Sequence, residues 1–328
     1  MRLPMQRTLL TSLAVVASSS MLAHAQESLP AVLDAPPIEA APTEPAMTPY
    51  DATLAIGYAH LFDASFGAGT TGSVSENRSY ATYAIEEAGA DTTKFGISFN
   101  YSGTWYDFEG SSPLDPTPGA TPWGAVTSLL VSPSMNVKCD AHWNAFARVF
   151  VGFSGENAAD VWDSATGGGA VGASYSFNKD FTLGLGVLAS SQIEDNILVI
   201  PLLIVDWEIY DDLRLTNVAG PAAYPTGNGV ELAWRMNASF ELAFGGRWEI
   251  DRFRLDDDAS NPDGVGQDEG LPLWVRGTWH INDSVRLDLL GGVRVGSEFH
   301  LYDQDGNGLT STDVDAQPFL GVFLSTVF

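Results

Sequence analysis

The sequence predicts an all-β chain closed into a transmembrane antiparallel up-and-down β-barrel of about fourteen strands, with twelve strands as the alternative. Three observations carry this. Long runs of period-two alternation have one apolar and one charged face, and tight turns alternate with long loops down the chain. The third is that the longest wholly apolar run, residues 197–205, contains Pro201 and falls far below the ~18 residues a spanning helix needs.

Composition agrees with a β-rich exported chain. Of 328 residues only 17% are charged, while 33 are Gly and 11% are aromatic. The 15 Lys+Arg against 41 Asp+Glu give a formal net charge of −26, with no basic cluster, which excludes nucleic acid as a partner. A single Cys excludes an intramolecular disulfide and a cysteine-based zinc site.

Residues 1–25 read as a signal peptide. Arg2 and Arg7 precede an apolar stretch from Leu9 to Ala17, and Ala23-His24-Ala25 forms the cleavage pattern. Residues 26–50 carry six prolines among Ala and Glu and read as a periplasmic linker. The barrel is expected to occupy residues 51–328.

Within it, strands are expected near 51–62, 79–87, 94–108, 123–138, 143–155, 167–178, 180–192, 197–209, 212–218, 227–236, 239–254, 271–281, 284–301 and 315–328. From Val285 the odd positions run Val, Leu, Leu, Gly, Val, Val, Ser, Phe, Leu, whereas the even ones include Arg286, Asp288, Arg294, Glu298 and His300. Phe240 to Asp251 repeats the division. In lipid every backbone polar group must be paired, so a closed sheet with apolar residues outward and polar residues inward accounts for both faces at once. Short connections such as 139–142, 237–238 and 282–283 alternate with long ones such as 63–78, 109–122, 255–270 and 302–314. In such barrels the short turns face the periplasm and the long loops the outside. Lys94, Lys138 and Lys179 sit at the short turns, and the long loops are acidic.

The chain stops at Phe328, with Leu324 and Val322 on the same face and Thr326 between. This resembles the C-terminal assembly signal read by the insertion machinery of Gram-negative outer-membrane barrels, although Thr326 departs from the larger apolar residue usual there. Residues 94–328 also resemble an uncharacterised, planctomycete-type family of outer-membrane β-barrels. The stretches that carry this are Leu183-Gly184-Leu185-Gly186 through Ser190-Ser191-Gln192, Pro201-Leu202 through Asp206-Trp207, and Asp212-Leu213-Arg214-Leu215. The resemblance implies a location, the outer membrane, and no activity.

Parity places Arg148, Glu231, Arg235, Glu241, Arg247, Glu249, Asp251, Arg276, His280, Arg286, Asp288, Arg294, Glu298 and His300 on the inward face. Such a lining is either a network of paired charges or a path for small solutes, and its mixed signs predict no strong ion selectivity. The expected function is a passive, narrow channel for small solutes or ions. The alternative is a non-conducting structural or interaction barrel with acidic extracellular loops. Asp303, Asp305 and Asn307, with Gly308 following Gly306 and Asn307, open like a calcium loop, but position twelve is Val314 where a calcium loop has Glu. Calcium is therefore the one cofactor for which the sequence offers ligands. No catalytic residues are expected. The single hydrolase alternative would pair His300 with Asp303 and Asp305 at the rim. Membrane lipid and the insertion machinery are the expected partners, and oligomeric state is left open.

Overall fold

A computed structural model describes residues 50–67, 71–88, 92–114, 121–217 and 228–328. The expected signal peptide and all of the linker but Tyr50 lie outside them. The described strands are β1 (Tyr50–Ser65), β2 (Ser73–Glu87), β3 (Thr93–Glu109), β4 (Ala125–Lys138), β5 (Trp143–Glu156), β6 (Ala165–Ser176), β7 (Phe181–Gln192) and β8 (Asp195–Tyr210). They continue as β9 (Leu213–Asn217), β10 (Asn228–Arg235), β11 (Phe240–Arg254), β12 (Val265–His280), β13 (Val285–Tyr302), β14 (Gly308–Val314) and β15 (Gln317–Val327). The described residues contain no α-helix.

Consecutive strands pair antiparallel, and the ring closes where β15 pairs with β1 from Thr53↔Val327 to Leu61↔Phe319. Both β14 and β15 pair with β13, the first along its loop end and the second along its turn end, so they are two halves of one stave broken at Asp315 and Ala316. The barrel therefore has fourteen staves, and at the turn end the ladder of backbone pairs runs all the way round.

The turn end is built locally. Asp140 Oδ1 accepts from the backbone N–H of His142 and Trp143 at 2.7 and 2.8 Å. Asn237 does the same for Ser239 and Phe240, and Asn282 for Ser284 and Val285. A short side-chain oxygen three residues ahead of the returning strand satisfies the donors a tight turn leaves over.

The outward face is apolar between two aromatic girdles. Trp143, Trp207, Trp234 and Trp279 ring the turn end, and Trp105 and Trp248 stand toward the loop end. Leu185, Ile197, Val199, Leu289 and Leu320 are exposed between them. On β3 the girdle residues Phe95 and Trp105 are ten positions apart. At about 3.4 Å per residue and a tilt near 40° this is roughly 26 Å along the axis, close to the ~25 Å of an outer-membrane barrel's apolar band. This is the exterior of a membrane-spanning barrel.

Strand existence and order follow the sequence reading, but three loop-end boundaries do not. Strand β2 begins at Ser73 where the alternation suggests 79, β12 begins at Val265 where it suggests 271, and β14 occupies residues expected to be loop. These extensions rise above the hydrocarbon, so their outward residues, such as Ser75, Asn77, Gln267 and Glu269, are polar and the apolar row stops.

One irregularity matters for all that follows. Between the pairs Leu271↔Val295 and Glu269↔Glu298, Gly296 and Ser297 of β13 oppose Gly270 alone. Gly296 has φ of 60°, the left-handed conformation of a bulge glycine. The extra residue inverts the alternation beyond it.

Candidate functional site

The inward side chains form four levels. At the turn end lies a cavity of about 180 Å³, lined among others by Glu208, Arg214, Arg235, Glu241, Arg276 and Arg286. Above its floor Arg276 bonds Glu231, reaches Glu241 at 2.9 Å and lies 3.1 Å from Asp288. Asp288 also accepts from Thr278 Oγ1 at 2.5 Å and meets Arg286 at 3.2 Å. Trp274 Nε1 donates to Glu231 at 2.9 Å, linking this charge layer to the apolar one above it. That layer packs Leu61, Tyr80, Trp274, Leu290, Phe319 and Phe323 across the bore.

The next level is a second charge layer with almost no solvent exposure. Arg78 meets Glu76 at 2.5 Å, Asp268 at 3.0 Å and Glu249 at 3.2 Å. Arg294 bonds Asp268 and lies 3.4 Å from Glu76, while Arg247 bonds Glu249. Tyr106 donates its hydroxyl to Asp268 at 3.0 Å. Three arginines thus face Glu76, Glu249 and Asp268, with the Asp251 carboxylate close to the same groups, so each charge of the layer has an opposite charge beside it, as buried ions require.

The loop end is closed by aromatic packing. Phe66, Tyr106, Trp123, Phe253 and Phe299 join Leu114, Leu255, Leu301 and Val314 in one buried cluster. Trp123 is 2% exposed, and Phe253 and Phe299 are 0% exposed, so this level excludes water. Leu114, Trp123 and Leu255 come from the described parts of the β3–β4 and β11–β12 connections, which fold inward. The β11 end also crosses the mouth: Arg254 pairs with Gly155 of β5, and Asp256 N donates to Glu156 Oε2 at 3.0 Å.

Of the expected inward residues, Arg247, Glu249, Arg276, Asp288 and Arg294 are buried in the two charge layers. Arg235, Glu241 and Arg286 line the turn-end cavity. Arg148 shares the inward face of β5 with Phe146 and Phe150, and it makes no ion pair among the described residues. Glu298 is a correction, as is His300. The Gly296 bulge turns both outward at the loop-end rim and turns Ser297, Phe299 and Leu301 into the bore. Accordingly His300 lies near Glu269 and Glu298, at 3.5 and 3.7 Å, and not in a pair with Asp303 or Asp305.

Sequence reasoning missed Glu76, Arg78 and Asp268, the acid and base pivots of the upper layer. Their strand segments lie above the apolar band, where only an inward polar alternation was left to signal a strand. At the rim, Asp303 Oδ1 accepts from the backbone N–H of Asp305 and Asn307 at 3.0 and 2.8 Å, and Oδ2 accepts from Asn307 Nδ2 at 2.9 Å. The Asn307 side-chain and backbone donors hold the Asp303 carboxyl below its ordinary pKa. The carboxylate that would open a calcium loop therefore already serves as the cap of this hairpin. At the C-terminus Leu324, Val322 and Phe328 face outward, while Phe319 and Phe323 face the bore.

The COG4313 outer membrane channel from Pseudomonas putida F1 is 13% identical, with a TM-score of 0.46 over 88% of this chain and 100% of that one. A Pseudomonas aeruginosa FadL homologue is 12% identical, with a TM-score of 0.46 over 84% of this chain and 90% of that one. The Ralstonia pickettii toluene transporter TbuX is 12% identical, with a TM-score of 0.39 over 84% and 89%. No curated protein matches the sequence. The barrel assignment rests on the closed hydrogen-bond ladder and the outward face. A family model described as a domain of unknown function (DUF6268) matches residues 136–322, and this stretch holds all three segments of the sequence resemblance. As it spans more than half of the chain, the chain belongs to that family.

Proposed function

We propose that the barrel lies in an outer membrane and is a narrow channel for small polar solutes or ions, closed at its loop end in the conformation described. The observation that carries this reading is the polar filling of the bore. An ion-pair layer inside a barrel is no more stabilising than well-packed apolar residues of similar volume and is often less so. Two such layers, with an ionic cavity opening at the turn end, set polar groups on both sides of the apolar level that crosses the bore, and a hydrated solute passes once that level and the aromatic level part. The closure is made in part by Leu114, Trp123 and Leu255, which belong to connections and not to staves. Connections move at lower cost than barrel walls.

Planar-bilayer recording tests the proposal. The native chain is expected to be silent or to open briefly, and Trp123→Ala and Phe299→Ala at the loop-end level, combined with Phe319→Ala and Phe323→Ala at the apolar level below it, are expected to give sustained conductance. Silence in both, with heat-modifiable gel migration showing intact barrels, would favour the second reading, a non-conducting barrel. The complete burial of Phe253 and Phe299 is what supports that second reading.

A further inference from the structure

The bulge at Gly296 builds a second cluster on the opposite face of the same strands. Beyond it, Glu298 and His300 of β13 face outward, in register with Glu269 and Gln267 of β12. The cluster stands one residue pair above Leu271 and Val295, where the outward apolar row ends, and so lies on the aqueous rim of the barrel. His300 Nε2 lies 3.5 Å from Glu269 Oε1 and 3.7 Å from Glu298 Oε1, and one ligand atom from each of the three lies within 4.8 Å of the others. That nitrogen is shielded from solvent, and its nearest acceptors are these two carboxylates, neither in good hydrogen-bond geometry.

Two carboxylates converging on one imidazole nitrogen call for positive charge among them, supplied either by a proton on Nε2 or by a bound cation. We propose that this cation is a divalent transition metal of the zinc class, held by Glu269, Glu298 and His300. Zinc takes imidazole nitrogen and carboxylate oxygen at about 2.0–2.2 Å, and in tetrahedral geometry this sets the ligand atoms roughly 3.4 Å apart. The two separations from His300 Nε2, 3.5 and 3.7 Å, are within a few tenths of an ångström of that, and the two carboxylates lie within 4.8 Å of each other. An imidazole in the set selects against calcium and magnesium, which prefer oxygen ligands throughout.

The surroundings fit a metal site in a further respect. Gln267 Nε2 donates to Glu269 Oε2 at 3.3 Å, which leaves Oε1 turned toward His300. Gln267 Oε1 in turn accepts from Arg252 at 2.9 Å, and Arg252 is itself held by the Ile193 carbonyl at 2.6 Å and lies 3.8 Å from Asp195. A hydrogen-bonded partner behind a ligating carboxylate fixes its orientation, which makes Gln267 a positioning residue. Three protein ligands leave a fourth position for water. The site clamps β12 to β13 beyond the bulge, and it does not depend on whether the bore conducts.

The test uses the full chain in detergent, stripped with chelator and titrated calorimetrically with zinc chloride, with cobalt(II) absorbance as a report on coordination number. One zinc per chain and the visible bands of four-coordinate cobalt are expected. Both should be lost in His300→Ala and in Glu298→Gln and retained in Asp303→Asn, and Gln267→Ala should weaken binding about tenfold. Gel migration before and after boiling checks that each variant is folded. The proposal is overturned by a native chain that binds no zinc and whose imidazole merely titrates, or by zinc binding that survives His300→Ala.

Discussion

Around one lumen, the wall from β5 to β8 and the wall from β10 to β13 use the same strand geometry with opposite inward side chains. On the first, Phe146 lies in register with Gly172 and Phe150 with Gly168, and Ala170, Leu188, Ile200, Leu202 and Ile204 complete an apolar surface. A Cβ on Gly172 would fall 2.5 Å from the Phe146 ring, so the ring occupies the space the glycine leaves. On the second wall, Glu231, Arg247, Glu249, Asp268, Arg276, Asp288 and Arg294 point inward and pair with one another and with Glu76 and Arg78 of β2. The apolar wall is satisfied within neighbouring hairpins. The lower layer of the charged wall is satisfied among β10 to β13, but its upper layer is completed only when β2 meets β11, β12 and β13, in pairs as far apart in sequence as Arg294 and Glu76. Charge pairing therefore ties the first staves to the last, and the N-terminal hairpin has no partner for Arg78 other than Glu76 until the barrel closes.

The largest effect is expected from breaking that tie. Arg294→Ala leaves Glu76 and Asp268, both fully buried, without one of their two shared arginines. An uncompensated buried charge of this kind costs about 3–5 kcal/mol, measurable as a fall in the urea midpoint of barrel unfolding in lipid vesicles. Removing Arg148, which makes no ion pair among the described residues, should cost far less. A loss under about 1 kcal/mol for Arg294→Ala would mean that water screens the layer, and the contrast between the walls would fail.

The apolar wall breaks by volume where the charged wall breaks by charge. Gly172→Ala puts a methyl group against the Phe146 ring and 2.8 Å from the Leu185 carbonyl oxygen. Overpacking at such a site costs about 1–3 kcal/mol. Phe146→Leu in the same chain should recover part of the loss, because the ring is the nearest contact, and recovery is the outcome that separates packing from a backbone effect. If the double variant is no more stable than the single one, the ring is not what the glycine accommodates.

This contrast also explains which parts of the molecule could be read from the chain. The apolar rows that face lipid, such as Leu183, Leu185 and Val187, alternate without interruption, and every strand carrying them was legible. So were the Asx-capped turns at Asp140, Asn237 and Asn282. Inward charges between girdles, such as Arg276 and Asp288, were legible by parity from those rows. Above the hydrocarbon the outward row turns polar and the argument loses its reference. Glu76, Arg78 and Asp268 then look like loop acids and bases, although they are the centre of the upper charge layer. Glu298 and His300 were misplaced for a different reason. A glycine within an alternating run gives no local sign of its φ, and one extra residue transfers every later side chain to the other face.

That transfer gives the smallest and most local test, because Gly296 decides which β13 side chains join the charged wall's upper end and which reach the rim. No atom lies within 4 Å of where its Cβ would stand, so Gly296→Ala meets no steric obstacle. Its φ of 60° nevertheless costs an L-residue about 1 kcal/mol or slightly more. Asn tolerates this region better, so Gly296→Asn should lose less than Gly296→Ala in the same urea titration. The ordering Gly, Asn, Ala identifies backbone conformation as the cause, since side-chain volume ranks the two substitutions the other way. Equal stability of all three would show that the bulge relaxes to an ordinary ladder. In that case Glu298 and His300 would return to the inward face that parity assigns them, and Phe299 would leave the aromatic closure.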